Sequence, residues 1–474
     1  MSQPAITFGT DGIRGEYGAW PMRDEDVRAV AQAVAEYFRR EADPPRFVIG
    51  RDTRQSSLPL AQVVAEGLST AGALIEDVGV IPTAGLAYLA VTLNKHAGIM
   101  ITASHNPWQE NGIKVIGGDG FKLADETEHA IEALIGQPGS EGSRGLLVNH
   151  PQAVDDYIQH LIHPFAGTSL AGLKIALDCS HGAASLIAPA AFRALGADPI
   201  SLSASPDGRN INAGCGSEAV RVGQGELVER ARTGDLDMAF AFDGDADRVI
   251  ALDEAGELMD GDHLLLLLAA YLNDQGRLRG NVVVTTQMAN RGLDRALAMQ
   301  GIETIRTPVG DRYIIQQITG KGYTLGGEQS GHIVIYDPQH TTGDGIYTAL
   351  MLAHMRASGW LTSFAEWRRK LIKFPQVIAS ARVGSRPDLD SLADLDSART
   401  RIAATLGADG LINIRYSGTE PLVRVMIESG TEFSPRDLAD HALSLCRIVQ
   451  AASGSPDGAV EIKDTATGNP VGLN

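Results

Sequence analysis

The chain repeatedly sets a short, largely apolar run directly ahead of a loop crowded with polar side chains. Gly98–Thr102 runs into Ala103-Ser104-His105-Asn106-Pro107, and Met238–Phe242 into Asp243-Gly244-Asp245-Ala246-Asp247-Arg248. Tyr323–Gly326 leads likewise into Gly327-Glu328-Gln329-Ser330-Gly331-His332. Amphipathic stretches separate these runs, which is the pattern of βαβ units with buried strands. Arg46–Gly50, Lys174–Leu177 and Asn281–Thr285 read as further strands, and Pro59–Ala71 as a helix. In open α/β sheets ligands bind outside the carboxyl ends of the strands, so each of the three loops is a place for chemistry.

Beyond Phe374-Pro375 the pattern changes. A helix is predicted near Leu392–Leu406, strands near Leu411–Ile414 and Leu422–Ile427, and a helix near Pro435–Val449. The two strands flank Arg415-Tyr416-Ser417-Gly418-Thr419-Glu420-Pro421, and the small, polar tail from Ala451 is expected to be partly disordered. At 474 residues the chain exceeds one hydrophobic core. The predicted class is therefore α/β: three α/β mixed-sheet domains over 1–167, 168–258 and 259–374, and a C-terminal α+β domain over 375–474.

Forty Lys and Arg against 58 Asp and Glu give a net charge of −18, a surface that repels nucleic acid. An anionic small molecule would need locally gathered positive charge, and the loops contain it. Cys179, Cys215 and Cys446 lie far apart, which suits a reducing compartment better than a disulfide framework or a thiolate zinc site. The longest apolar stretch, Leu264 to Ala270, is too short to span a bilayer, and no basic-then-apolar leader opens the sequence. The expected location is the cytoplasm, with no membrane partner.

Asp243, Asp245 and Asp247 alternate with small residues after a buried strand, a spacing that lets three hard oxygens converge on one divalent cation. Carboxylates held that close repel one another without a cation between them. A solvated acidic turn or a Ca²⁺ loop is the alternative, although an EF-hand would end in a glutamate that is absent here. Arg248 beside them argues for an anionic partner. Ser104 sits between a strand and a proline, where a hydroxyl can project. A turn serine is the plain reading and a Ser-His-Asp hydrolase another, but adjacent His105 is poorly placed to fold back and the G-x-S-x-G elbow is missing. A phosphoserine fits better beside a cation loop.

Arg415, Ser417, Gly418, Thr419 and Arg424 combine hydroxyls, backbone donors and guanidinium forks, an anion site or a β-turn with two surface arginines. Glu328, Ser330 and His332 alternate along what reads as an extended segment, so all three would face one side and bond sugar hydroxyls, or merely end a strand. Arg14, in Gly9-Thr10-Asp11-Gly12-Ile13-Arg14-Gly15, and Lys114, shortly after the Ser104 loop, are either site cations or surface ones.

Together these four loops resemble those of the α-D-phosphohexomutase superfamily, in the same order and across nearly the whole chain. The resemblance implies three α/β domains and one α+β domain around a central cleft. It implies Ser104 as phosphoryl carrier, and Mg²⁺ held by Asp243, Asp245, Asp247 and a phosphoserine oxygen. Glu328 and Ser330 become sugar ligands, the Arg415–Pro421 loop with Arg424 a phosphate clamp, Lys114 and His332 the acid/base pair, and Arg14 and Arg248 fixed charges. His105 would orient or shield the phosphoserine. Phe8–Gly15, Pro206-Asp207-Gly208-Arg209-Asn210-Ile211-Asn212, Val309-Gly310-Asp311-Arg312-Tyr313 and Gln329 resemble the branch acting on glucosamine phosphates. That branch implies exchange of glucosamine 6-phosphate and glucosamine 1-phosphate through a hexosamine 1,6-bisphosphate, with movement of the fourth domain about Phe374-Pro375. Relatives acting on mannose or glucose phosphates share the chemistry, and a sugar-phosphate sensor would share only the fold. The resemblance leaves the oligomeric state open, a homodimer included. Two residues depart from the family loops: Ala246 stands where a second glycine is commoner, and Trp108 where Tyr or Phe is.

Overall fold

The apolar runs ahead of the three polar loops become buried strands in the structure, a computed structural model that describes residues 5–9, 11–137, 145–417, 421–455 and 458–472. Ala97–Ile101, Ile175–Asp178 and Met238–Phe242 are buried at every position. Strands buried on both faces carry no polar alternation, so a continuous apolar run is the expected signature. The chain divides into two compact units, Met1–Thr285 with Gly310–Arg368, and Thr286–Val309 with Arg369–Asn474.

The first unit holds two complete mixed sheets. One runs in the order Ile13–Glu16, Glu110–Gly117, Ala97–Ile101, Arg46–Arg51, Leu74–Val80, Leu146–Asn149. The other runs Leu258–Met259, Val249–Leu252, Met238–Phe242, Ile175–Asp178, Ile200–Leu202. Both mix parallel and antiparallel neighbours. A third set pairs Val283–Thr285 in parallel with Leu325–Gly327, which turns back antiparallel onto Ile333–Ile335. Helix Gly261–Asp274 places Leu264 to Leu268 in succession, and every one is fully buried. A helix apolar all round must be enclosed on all sides. Burying each leucine contributes about 1.5–3 kcal/mol.

In the second unit an antiparallel sheet runs Leu411–Tyr416, Leu422–Glu428, Gln376–Arg382, Val460–Asp464, with helices Ala393–Leu406 and Pro435–Ala452 closing its core. Ser434 and Asp437 form a reciprocal capping box at the start of the last helix, with Pro435 at its first turn. The expectation of a partly disordered tail fails for Val460–Asp464, which pairs with Val377–Ala381 along its length. Val460 and Ile462 pack against the core of this unit, enough to recruit a polar tail as an edge strand. Phe374 lies within this unit. The Asn290 side chain bonds its N–H and its carbonyl, both at 2.9 Å, and the unit boundary falls earlier, at Arg368.

Candidate active site

The polar loops of the first unit leave the carboxyl ends of their strands and meet. Ser104 follows Ala97–Ile101, the aspartates follow Met238–Phe242, and Glu328 follows Leu325–Gly327. Ser104 takes a left-handed backbone, φ +52°, and its hydroxyl donates to Asp243 Oδ2 at 2.6 Å. The other oxygen of Asp243 accepts the Arg248 N–H at 3.2 Å. His105 does fold back: its Nδ1 lies 3.3 Å from the Ser104 hydroxyl. The objection raised from adjacency is therefore overturned, because the left-handed turn at Ser104 brings consecutive side chains to one side. Burial and then Arg248 push His105 down to about 4, so near neutral pH the ring is uncharged.

Asp243, Asp245 and Asp247 are all buried, with one oxygen of each within 4.8 Å of the others. Burial, then Asp247 and Asp245, drive Asp243 well above the ordinary carboxyl range, the mark of a negative cluster short of positive charge. Lys114 sits across the sheet from Met100 and reaches this cluster, 2.8 Å from Asp245 Oδ2 and 3.3 Å from Asp247 Oδ2. The Thr83 hydroxyl bonds the same Asp245 oxygen at 2.6 Å. Asp245 Oδ1 and Asp247 Oδ1 are buried without a hydrogen-bond partner. Buried, hard carboxylate oxygens that accept no hydrogen bond are a donor set that fits Mg²⁺. Ala246 adopts φ +55°, the left-handed conformation for which a glycine is commoner, and still leaves the three carboxylates together.

Arg248 is half-buried, with Nε 3.8 Å from Asp247 and 4.0 Å from Asp243, and Nη1 3.7 Å from Glu218. Its backbone bridges to His332. That residue lies in a hairpin turn, since the Gly331 N–H reaches the Glu328 carbonyl and the Glu328 N–H reaches the His332 carbonyl. The expectation of an extended segment with three side chains on one face is thus corrected: Gly331, at φ +91°, closes the turn. His332 Nδ1 is 3.8 Å from Asp247 and its Nε2 3.6 Å from Asp311. Although burial works against the charge, Asp247, Asp311 and Glu328 raise its pKa. Burial raises the half-buried Glu328 carboxyl, and the buried Ser330 hydroxyl oxygen has no hydrogen-bond partner.

Arg14 lies in this unit too, but its guanidinium is paired with Asp11. Asp11 is the hub that sequence reasoning missed: Lys122 donates to it at 2.7 Å and Lys114 lies 3.3 Å away. Burial pushes its carboxyl up, yet Lys114, Lys122 and Arg14 together hold it well below the usual range. Lys122 also donates to Asp311 at 2.8 Å. Asp11 and Asp311 stand in glycine-flanked loops already singled out, which was the available signal; Lys122, Thr83 and Glu218 carried none.

In the second unit, Arg415 and Arg424 are direct cross-strand partners, and Ser417 donates its N–H to the Leu422 carbonyl at 2.8 Å. Like charges facing each other across a strand pair are unfavourable unless an anion joins them. Gly418 and Thr419 lie outside the described residues. The three cysteines are buried, and burial raises the Cys215 thiol to about 11, in keeping with an inert packed residue.

In comparison with known proteins the chain matches four family profiles, each of which contains one of the polar loops. It matches the profiles for "Phosphoglucomutase/phosphomannomutase" alpha/beta/alpha domain I over residues 5–141, domain II over 155–256 and domain III over 260–373. The C-terminal domain profile matches 379–441. The chain is 42% identical over 436 residues to the phosphoglucosamine mutase of Symbiobacterium thermophilum, covering 90% of this chain and 95% of that one. It is 40% identical over 433 residues to that of Syntrophus aciditrophicus, with the same coverage. Its fold matches the crystal structure of Aspergillus fumigatus N-acetylphosphoglucosamine mutase in complex with GlcNAc-6P and magnesium, at TM-score 0.63 and 17% identity over 95% of this chain and 96% of that one. No helix among the described residues is long and apolar enough to cross a membrane.

Proposed function

Because this chain belongs to the phosphoglucomutase/phosphomannomutase family, the α-D-phosphohexomutases, we propose that it interconverts glucosamine 6-phosphate and glucosamine 1-phosphate through a phosphorylated Ser104. The observation that carries the chemistry is the Ser104 hydroxyl, 2.6 Å from Asp243 in a cluster where Asp245 Oδ1 and Asp247 Oδ1 accept no hydrogen bond. The amino-sugar assignment rests on the relatives of 40–42% identity. The division at 167, 258 and 374 remains part of this reading.

In the first half-reaction the bond from Ser104 Oγ to phosphorus breaks as one forms from a sugar hydroxyl oxygen, whose proton passes to a base, while the departing Ser104 oxygen takes a proton from an acid. The bisphosphate then presents its other phosphoryl group, and the same exchange restores phosphoserine. Asp243, Asp245 and Asp247 would hold Mg²⁺, which neutralises charge on the transferring group. Lys114, which three carboxylates hold protonated although burial opposes it, suits the proton donor. His332, whose pKa rises against burial through Asp247, Asp311 and Glu328, is the second member of the acid/base pair and accepts a proton in its neutral form. Arg248 and Arg14 contribute fixed positive charge. Glu328 and Ser330 bond the sugar, while Arg415, Ser417, Gly418, Thr419 and Arg424 hold the phosphate that is not reacting.

The test is a coupled assay with Mg²⁺ and a trace of hexose 1,6-bisphosphate, on glucosamine, mannose and glucose phosphates, with Ser104→Ala as control. The expected result is preference for the amino sugar, lost in the variant. Better turnover of mannose or glucose phosphate would overturn the substrate, and an active Ser104→Ala the mechanism.

A further inference from the structure

Two side chains from different parts of the chain grip the same pair of carbonyls around Ser104. Arg54 Nη2 donates to the Ser104 carbonyl at 3.1 Å and to that of Asn106 at 2.6 Å. Asn212 Nδ2 donates to the same two oxygens, at 2.9 and 3.0 Å. Arg54 is buried and paired with Asp52, which also accepts the Ser57 hydroxyl at 2.7 Å. Asn212 is anchored through its own N–H to the Ser180 carbonyl at 2.9 Å and adopts φ +59°.

Asn212 ends the Pro206–Asn212 segment, which lies along the Ser104 loop as a strap. Its Gly208 carbonyl accepts the Gln55 N–H at 2.8 Å, and Arg209 donates to the Gln55 side chain at 2.6 Å. The Arg209 guanidinium also stands 5.3 Å above the Trp108 ring. The Ser104 carbonyl also packs so tightly on Gly244 that a Cβ there would collide with it and would press on Ile211 and the Asn212 amide. A left-handed backbone costs a residue with a side chain roughly 1–2 kcal/mol, and persists where its surroundings over-determine it.

We propose that Asn212 and Arg54 are positioning residues for phosphoryl transfer: by fixing the carbonyls of Ser104 and Asn106 they hold Ser104 in the left-handed conformation that aims its hydroxyl at Asp243. Both act through the loop. The proposal rests on the phosphoserine reading. The strap and Trp108 then serve to tie the loop that carries the phosphoryl group to the segment after Ile200–Leu202, in the sheet that carries the aspartates.

Asn212→Gly tests it most cleanly, because glycine accepts φ +59° without strain while the two donated bonds disappear. Asn212→Asp keeps the shape but turns an acceptor toward two carbonyls. With Mg²⁺, kcat for glucosamine 6-phosphate is expected to fall at least tenfold in Asn212→Gly and further in Asn212→Asp, with KM within twofold of wild type. A displacement of about 1 Å at a reacting group is enough for losses of this size. Single-turnover transfer from phosphorylated enzyme, followed by intact mass, should slow in parallel, with Tm little changed. Should neither variant fold, Arg54→Lys retains the charge beside Asp52 but loses the fork, and the same separation of kcat from KM is expected. A folded Asn212→Gly, or Arg54→Lys, that transfers within threefold of wild type overturns the proposal, as does a raised KM at unchanged kcat. Wild-type enzyme that gains no phosphate on Ser104 after incubation with hexose 1,6-bisphosphate and Mg²⁺ overturns the phosphoserine reading and this proposal with it.

Discussion

Lys114→Met should destabilise the metal-free protein strongly and the Mg²⁺-loaded protein far less. Lys114 is buried, 2.8 Å from Asp245 and 3.3 Å from both Asp247 and Asp11. At an effective dielectric of about 20, the nearest contact is worth about 6 kcal/mol of attraction and each of the others about 5. Desolvation of the ammonium and the carboxylates consumes most of that sum, and removing one partner of a buried ion pair typically costs about 3–5 kcal/mol. Methionine fills the volume of the stem, so little cavity cost is added. For a unit of this size 1 kcal/mol moves Tm by roughly 1.5 °C, so a fall of about 4–8 °C is expected in EDTA. A divalent cation on the same carboxylates replaces the lost charge, so saturating Mg²⁺ should recover at least half of the fall. The pH dependence has a fixed sign. Asp11 and Asp247, held below the ordinary value of 3.8 although burial opposes it, contribute stability that is present above that value and lost as pH falls through their folded pKa. Without Lys114 their folded pKa rises, and the gap between variant and wild type should narrow in acid. Calorimetry in EDTA and in Mg²⁺, at pH 7 and pH 4, measures all of this. A shift under 2 °C in EDTA, or one that Mg²⁺ does not reduce, refutes the charge argument.

Gly343→Ala would set a methyl carbon 2.5 Å from His332 Nε2 and 2.6 and 2.7 Å from neighbouring ring carbons, so the ring must move. Expected are a stability loss of about 1–3 kcal/mol by denaturant titration and at least a tenfold loss of kcat; unchanged turnover would argue against His332 as the proton acceptor. Ala246→Gly relieves about 1–2 kcal/mol of left-handed strain but adds about 0.5–1 kcal/mol of chain entropy to the unfolded state, so Tm should change by no more than about 2 °C. A fall larger than that would mean the methyl group is needed for packing. His160, stacked between Tyr88 and His340, is pushed down to about 4 by burial and then by His340. The unfolded chain binds that proton near 6.5, so stability is complete above pH 6.5 and declines toward pH 4, by on the order of 2–3 kcal/mol for this group. Asp337 opposes the shift and His163 adds to it. His160→Phe should flatten that part of the pH–stability curve, and an unaltered slope would show that the ring titrates normally.

How far the sequence could be read depended on whether a feature was local. Met238–Phe242 was legible to the residue because a strand covered on both faces has to be apolar throughout, and the aspartate loop because its spacing repels itself without a cation. The hairpin at Glu328–His332 was misread because alternation of polar residues signals a strand only where the backbone is extended, and Gly331 at φ +91° ends that extension. The edge strand at Val460–Asp464 was missed because its two core contacts, Val460 and Ile462, are too few to stand out in a polar tail. The clamp on Ser104 lay beyond local reading altogether. Arg54 is 50 residues from Ser104 and Asn212 is 108 residues away, and each bonds main-chain oxygens, which every residue type presents alike. Side chains that grip backbone leave no complementary residue type at their target, so nothing at positions 104 or 106 announces the grip. Only the strap's own residues betray it: an Asn able to adopt a positive φ, a glycine two residues after a proline, and an arginine near an unusual Trp108. The Arg209 guanidinium, 5.3 Å above the Trp108 ring, joins the strap to the Ser104 loop through an aromatic face. If the cation–π contact steadies the strap, Trp108→Ala should loosen the loop and lower kcat in the same direction as Asn212→Gly, but by less, because it spares the four hydrogen bonds. A larger loss from Trp108→Ala than from Asn212→Gly would place the constraint in the aromatic contact rather than in the carbonyl clamp.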